Sequence, residues 1–267
     1  MAKLETAIPK GSWILVTGAN GLLGSHIVKQ FLERGYKVRG TVRDLSKTQW
    51  LVQDVFKSYA DNGDFELALV PDLAADHAFD EAIKGISAIA HVASIVNFDP
   101  DPNIVVTGTV AGTSSILEAA LSEPSVKSLV YTSSFLAAVM PFPGNDAVVK
   151  QDSWNDFALE GAWAAPPYEP SRAPLVYAAS KVAAEKAIWK FIEDRKPPFS
   201  VNTILPAGII GEPFHKSQTE NVAAWIKMLY LGETGMMGNI PASKSPLNKR
   251  SLVLHLRART PYLECQE

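Results

Sequence analysis

Tyr177-Ala-Ala-Ser-Lys181 places a phenol and an ammonium four residues apart in a helix-forming run. Side chains at i and i+4 share one face of a helix. A positive charge there favours phenolate and draws the tyrosine's proton equilibrium toward neutrality. A tyrosine tuned in this way can hand a proton to a carbonyl oxygen at physiological pH. Two residues do not define a site, and the weight of this pair comes from what stands upstream. Ser133 and Ser134 follow the apolar run Ser128-Leu-Val-Tyr-Thr132. A hydroxyl at such a strand end can hydrogen-bond a carbonyl and the oxyanion developing on it.

The N-terminal region supplies the partner chemistry. Trp13-Ile-Leu-Val-Thr17 reads as a buried parallel strand. It runs into Gly18-Ala-Asn-Gly21-Leu-Leu-Gly24 and then into an amphipathic helix, Ser25 to Arg34, that ends at Gly35. Strand, glycine turn and helix in this order are the context of a dinucleotide fingerprint, here spaced Gly-x-x-Gly-x-x-Gly. Gly18 permits the tight turn, and Gly21 lets the backbone approach a pyrophosphate drawn to the helix N-terminus. Gly24 lets the helix pack closely. The second strand, Lys37–Val42, ends without an acid, and Arg43 and Lys47 follow. An arginine at this position suits the 2′-phosphate of NADP, whereas a carboxylate would suit the 2′-hydroxyl of NAD. Asp44 is a rival that could pair with Arg43 or compete for the ribose.

Further strands are expected at Phe65–Val70, Ala88–Val92, Ser128–Thr132 and Ser200–Leu205, with helices roughly at 76–84, 103–122 and 176–194. Strands alternating with helices predict an α/β fold: a doubly wound Rossmann sheet, all parallel, with ligands beyond the strands' carboxyl ends. The expected organisation is an NADP-binding domain over 1–211, the start of a small substrate lobe over 212–241, and a basic tail over 242–267. Within the first, the Pro-, Trp- and Ala-rich connection 135–175 is long enough to be functional and is placed to cover the pocket. A helix is expected over Val222–Tyr230.

These residues together resemble the short-chain dehydrogenase/reductase superfamily in its extended form. Thr-Gly-x-x-Gly-x-x-Gly, Thr-Ser-Ser and Tyr-x-x-x-Lys stand in the family's order and spacing. Val-Arg-Gly-Thr-Val-Arg, Lys-Gly-Ile-Ser-Ala-Ile-Ala-His-Val-Ala-Ser and Ala-Ala-Ser-Lys-x-x-Ala-Glu-Lys-Ala-x-Trp-Lys narrow the likeness. They point to the branch of yeast-type aldehyde, ketone and methylglyoxal reductases and plant dihydroflavonol reductases, over residues from about 12 to about 241. The resemblance implies that Tyr177 is a general acid and that Lys181 lowers its pKa and binds the nicotinamide ribose. It implies that Ser134 polarises the substrate, with Ser133 a close competitor. Gly18, Asn20, Gly21, Leu22 and Gly24 match the pyrophosphate loop, and Arg43 with Lys47 the 2′-phosphate site. Asp72 and Leu73 match the adenine edge. Val92, Ala93 and Ser94 match the cofactor lining, and Pro206, Gly208 and Ile209 the segment beside the nicotinamide ring. Phe98 and Phe135 are candidate substrate-pocket walls. The implied cofactor is NADPH/NADP, the partner a small carbonyl substrate, the assembly a monomer or homodimer.

Across 267 residues, 25 basic and 28 acidic side chains give no reason to expect nucleic acid or an anionic membrane. One cysteine, Cys265, excludes an internal disulfide and suits a reducing compartment. No signal-like N-terminus and no run long enough to span a bilayer are read, so a cytoplasmic protein without a metal site is expected. After Pro241 the character changes: no acid stands between Glu233 and Glu264. Members of this branch continue further, so the reading frame is expected to diverge near residue 242. The alternative is a naturally short member with a solvated basic tail. Two other functions share the scaffold: a nucleotide-sugar epimerase or dehydratase, which Arg43 weighs against, and a truncated, catalytically idle NADP-binding protein.

Overall fold

In a computed structural model, residues 6–141, 148–219, 227–228, 230–233 and 258–259 are described. The short apolar segments form six parallel strands: β1 (Trp13–Val16), β2 (Lys37–Val42), β3 (Phe65–Leu69), β4 (Ala88–His91), β5 (Ser128–Thr132) and β6 (Ser200–Ile204). Their spatial order is β3-β2-β1-β4-β5-β6, with a two-residue antiparallel β7 (Ala258–Arg259) on β6. This is the doubly wound Rossmann sheet. The strand order reverses between β1 and β4, and the crevice at their carboxyl ends is where such sheets bind ligands.

The helices are α1 (Leu22–Glu33), α2 (Lys57–Asp61), α3 (Pro102–Ser122), α4 (Asp156–Ala162) and α5 (Ala173–Arg195). Pro174 stands in the first turn of α5, where its missing N–H has no helical partner to lose, so the helix starts before residue 176. One face of the sheet carries the Leu15, Ile89, Ile116, Leu129 and Ile188 cluster under α3 and α5, and the other the Val16, Val28, Leu32 and Val38 cluster under α1. At 21 residues and a mean hydropathy of 1.5, α3 is long and apolar enough to cross a bilayer, which corrects the expectation that no run is. Half of that stretch is buried inside the protein, through Val105, Ile116 and Leu117 among others. It is a core helix of this sheet.

The helix expected over 76–84 is instead a chain of turns. His77 adopts φ 61°, which a helix cannot pass through, and Ile83 N–H to Phe79 O is a lone helical bond there. The Arg39 guanidinium takes the carbonyls of Ala82 and Lys84 at 2.9 and 2.8 Å, groups a continuing helix would have used. Phe79, Ile83 and Ile86 are buried all the same, so their spacing reports the core and not the backbone. Among the segments with no sequence expectation are a π turn (Leu51–Val55), the α2 helix it leads into, and α4 inside the 135–175 connection. Of the helix expected over 222–230, Lys227, Met228 and Tyr230 are helical, and the rest lies outside the described residues. So does most of the tail beyond Glu233.

Candidate active site

The glycine turn lies at the switch point. Gly18 has φ +68°, and a Cβ there would press on Ala93 at 3.2 Å. A Cβ on Gly24 would fall inside the carbonyl of Gly18, so that glycine is required by the turn's own backbone more than by the sheet. Gly21 caps α1 without a side chain, leaving the first helical N–H groups facing the crevice. Thr17 closes the opposite wall. Its hydroxyl meets His91 Nδ1 at 2.9 Å and accepts the N–H groups of Val92 and Ala93 at 2.9 and 3.0 Å. Ser94 Oγ is buried beside them with no hydrogen-bond partner among the described residues. An orphaned hydroxyl next to a cradle that tolerates no Cβ suits a bound dinucleotide. Asn20 and Leu22 flank the turn half-exposed.

The rim is more open. Arg43 is exposed, and no described residue holds its guanidinium by a hydrogen bond or ion pair. Asp44 does not compete for it. Its carboxylate accepts from Ser46 N and Oγ at 2.9 and 2.6 Å and pairs with Lys47 at 3.6 Å, and the Ser46 hydroxyl in particular keeps it ionised below the usual carboxylate range. Asp72 is exposed and accepts from Ala74 N at 2.9 Å, whereas Leu73 is half-buried against Gly112. Pro206 is buried, its carbonyl accepting from Phe135 N at 3.0 Å. Gly208 has open space where a Cβ would stand, and Ile209 is half-buried beside it.

The proton-handling groups converge from α5 and the end of β5. Ser134 lies near enough to Tyr177 for its hydroxyl to act on the phenol's proton equilibrium. Lys181, 3% exposed, donates to Thr132 O at 3.2 Å, and its ammonium lies 5.9 Å from the Tyr177 ring centre. Burial pulls Lys181 down to about 8, against the opposing pull of Glu185. Burial also pushes the Tyr177 phenol above its usual value, with the Ser134 hydrogen bond working the other way. The expectation that Lys181 draws the phenol toward neutrality did not include burial, which acts in the opposite direction. Within the protein itself Ser134 is the group that eases the proton off, and desolvation outweighs it. Phe98, at φ 52°, sets its ring 5.9 Å from that of Tyr177, as a wall of the carbonyl position would.

Ser133 lies elsewhere. Its hydroxyl donates to buried Glu185 at 2.6 Å, and Thr203 donates to the same carboxylate at 2.9 Å. Glu185 was not singled out from the sequence, although its place four residues beyond Lys181 was a readable signal. Gln218 had no signal at all. Its amide nitrogen reaches Asn20 O, Gly21 O and Ser25 Oγ at 3.1, 3.2 and 2.9 Å. Around it Phe214 stacks on His26 and His215 on Trp50, at 4.4 and 4.7 Å. The segment 212–219 thus straps the underside of the glycine turn. A cavity of about 330 Å³ lies under Ala138, Trp154 and Phe157, within the connection expected to cover the pocket.

Sheet order, glycine turn and switch-point crevice define a Rossmann-type dinucleotide-binding protein. More particularly, residues 15–230 match the 3-beta hydroxysteroid dehydrogenase/isomerase family, and the chain belongs to it. It is 43% identical over 236 residues to aldehyde reductase 2 of Sporidiobolus salmonicolor, covering 87% of this chain and 68% of that protein. It is 40% identical to ketoreductase nvfG of Aspergillus novofumigatus, with 82% and 64% covered. Among solved structures, yeast methylglyoxal/isovaleraldehyde reductase Gre2 complexed with NADPH superposes with a TM-score of 0.65 at 27% identity, covering 78% of this chain and 61% of that one. The chain thus spans about two thirds of the length of its curated relatives and less of the solved reductases.

Proposed function

We propose that this chain is an NADPH-dependent reductase of small aldehydes or ketones, of cytoplasmic type. The observation that carries the reading is Tyr177, Lys181 and Ser134 gathered beyond β5, beside the switch-point crevice. Bound NADPH would supply a hydride to the carbonyl carbon. The chain's own groups serve the carbonyl oxygen: Ser134 donates a hydrogen bond to it, and the Tyr177 phenol gives up the proton that completes the alcohol. A phenol held above its usual pKa is protonated at neutral pH, as a donor must be. Lys181, charged below about pH 8, holds the strand end and would meet the nicotinamide ribose. Gly18, Asn20, Gly21, Leu22 and Gly24 would face the pyrophosphate, and Ser94 offers its unused hydroxyl. Arg43 with Lys47 would take the 2′-phosphate, a role that the engagement of Asp44 elsewhere supports.

The names of the relatives support reduction, and the NADPH in the Gre2 complex supports the cofactor. One relative, terH of Aspergillus terreus, 40% identical, is named an NAD-dependent epimerase/dehydratase, which keeps that second reading in play. The two are separated by following NADPH absorbance with a panel of aldehydes and ketones, alongside Tyr177→Phe. Carbonyl-dependent oxidation of NADPH that the variant loses is the expected result. NADPH left untouched by every carbonyl, with NAD bound more tightly, would overturn the proposal.

A further inference from the structure

The proton relay rests on a buried acid that its chemistry does not consume. Glu185 follows Lys181 by one turn of α5 and is fully buried. A buried carboxylate needs partners, and this one takes hydroxyl groups from both neighbouring strand ends, Ser133 beyond β5 and Thr203 on β6. Tyr177, Lys181 and Glu185, on one face of α5, thereby engage three consecutive residues. Tyr177 feels the Ser134 hydroxyl, Lys181 takes the carbonyl of Thr132, and Glu185 holds Ser133. A serine has one proton to donate. Ser133 has given its own to Glu185, so Ser134 is the serine on the Tyr177 side whose proton can turn to a carbonyl when one is bound.

We infer that Glu185 is a positioning residue for the proton relay: it withdraws Ser133 from the site, fixes the strand end so that Ser134 faces Tyr177, and supplies the counter-charge for Lys181. The inference rests on the reductase reading above. Other groups face Lys181 too. Tyr177 and Glu185 come from α5; Tyr131 comes from β5, its ring centre 5.5 Å from the ammonium; His91 of β4 stacks behind that ring at 5.7 Å. Burial keeps Tyr131 and His91 neutral, raising the phenol and lowering the imidazole to about 3. Glu185 is the acid of this group and the one that opposes the effect of burial on Lys181.

Glu185→Gln keeps the shape and removes that charge. The alkaline limb of kcat/KM for carbonyl reduction is expected to move about one pH unit or more toward acid, with KM for NADPH changed less than about twofold. A second readout needs no turnover. With the counter-charge gone, Lys181 gives up its proton on folding from a lower pH upward. The unfolded chain then binds more protons, so stability rises with pH. The variant's thermal midpoint should therefore climb between about pH 6.5 and about pH 8.5 more steeply than the parent's. In parallel, Ser134→Ala should cost about 100-fold in kcat and Ser133→Ala less than about tenfold. An unmoved limb together with an unchanged midpoint slope overturns the inference, and so does a Ser133→Ala as damaging as Ser134→Ala. If Glu185→Gln does not fold, the serine pair decides. If the parent oxidises no NADPH with any carbonyl, the reductase reading fails, and the midpoint slope still judges the Lys181–Glu185 coupling.

Discussion

The floor and the rim of this site are built on different terms. At the floor, Ser133, Ser134, Lys181, Glu185 and Thr203 are all buried, and each is held by a hydrogen bond or a neighbouring charge. At the rim, Arg43 and Asp72 are exposed, Lys47 has 83% of its side chain open, and Phe98 is 39% exposed. The contrast teaches where adaptation is affordable. Removing one floor group leaves its buried partners unsatisfied, a cost of about 1–3 kcal/mol each, whereas rim side chains give way to water. On the proposed reading, reaction type is set below, and choice of cofactor and substrate above.

Breaking the floor should have the largest effects. Tyr177→Phe removes the proton donor, and carbonyl reduction is expected to fall about 100-fold or more in kcat with cofactor affinity retained. A fall in affinity as large as the fall in kcat would assign the phenol to binding. Gly24→Ala forces a methyl group into the Gly18 carbonyl, an overpacking of about 1–3 kcal/mol. Weaker NADPH binding in a fluorescence titration and a lower melting midpoint check this, and a neutral outcome would mean that the turn has slack.

The pH profile sharpens the comparison. The folded pKa of Lys181, about 8, lies below its ordinary value, so the ammonium is present below about pH 8 and is lost as pH rises through it. Reduction should decline across that range in a pH–rate profile, and a flat profile to about pH 10 would detach the rate from Lys181. At the rim, Arg43→Ala should weaken NADPH about tenfold, the loss of a charged hydrogen bond, and leave NADH unchanged. Equal weakening of both would move the phosphate site elsewhere. Phe98→Ala is expected to be mildest, raising KM for aromatic carbonyls a few-fold with little change in kcat, since an exposed wall contributes on the order of 1 kcal/mol.

What the sequence disclosed follows the same division by distance. Gly18, Gly21 and Gly24 lie within one turn, and Tyr177 and Lys181 within one helical repeat, so their spacing alone placed them. Arg43 was placed by its strand end. The effect of burial on Tyr177 was not read because burial has no signature in four residues, while charge does. The turns at 74–85 were misread because Phe79, Ile83 and Ile86 bury at helical intervals on a backbone that is not helical. Gln218 was out of reach, its contacts being with residues 197 and 198 positions away.

That distance has a consequence for how the protein is born. A ribosome finishes the glycine turn early, yet the brace beneath it emerges 197 residues after Gly21. Closing so long a loop is slow and comes late in folding. The nascent chain thus carries a complete nucleotide fingerprint long before it has a firm grip. Stalled chains ending ahead of Gln218 should hold NADPH more loosely than chains extended past it, so that a firm hold on the nucleotide waits for the brace.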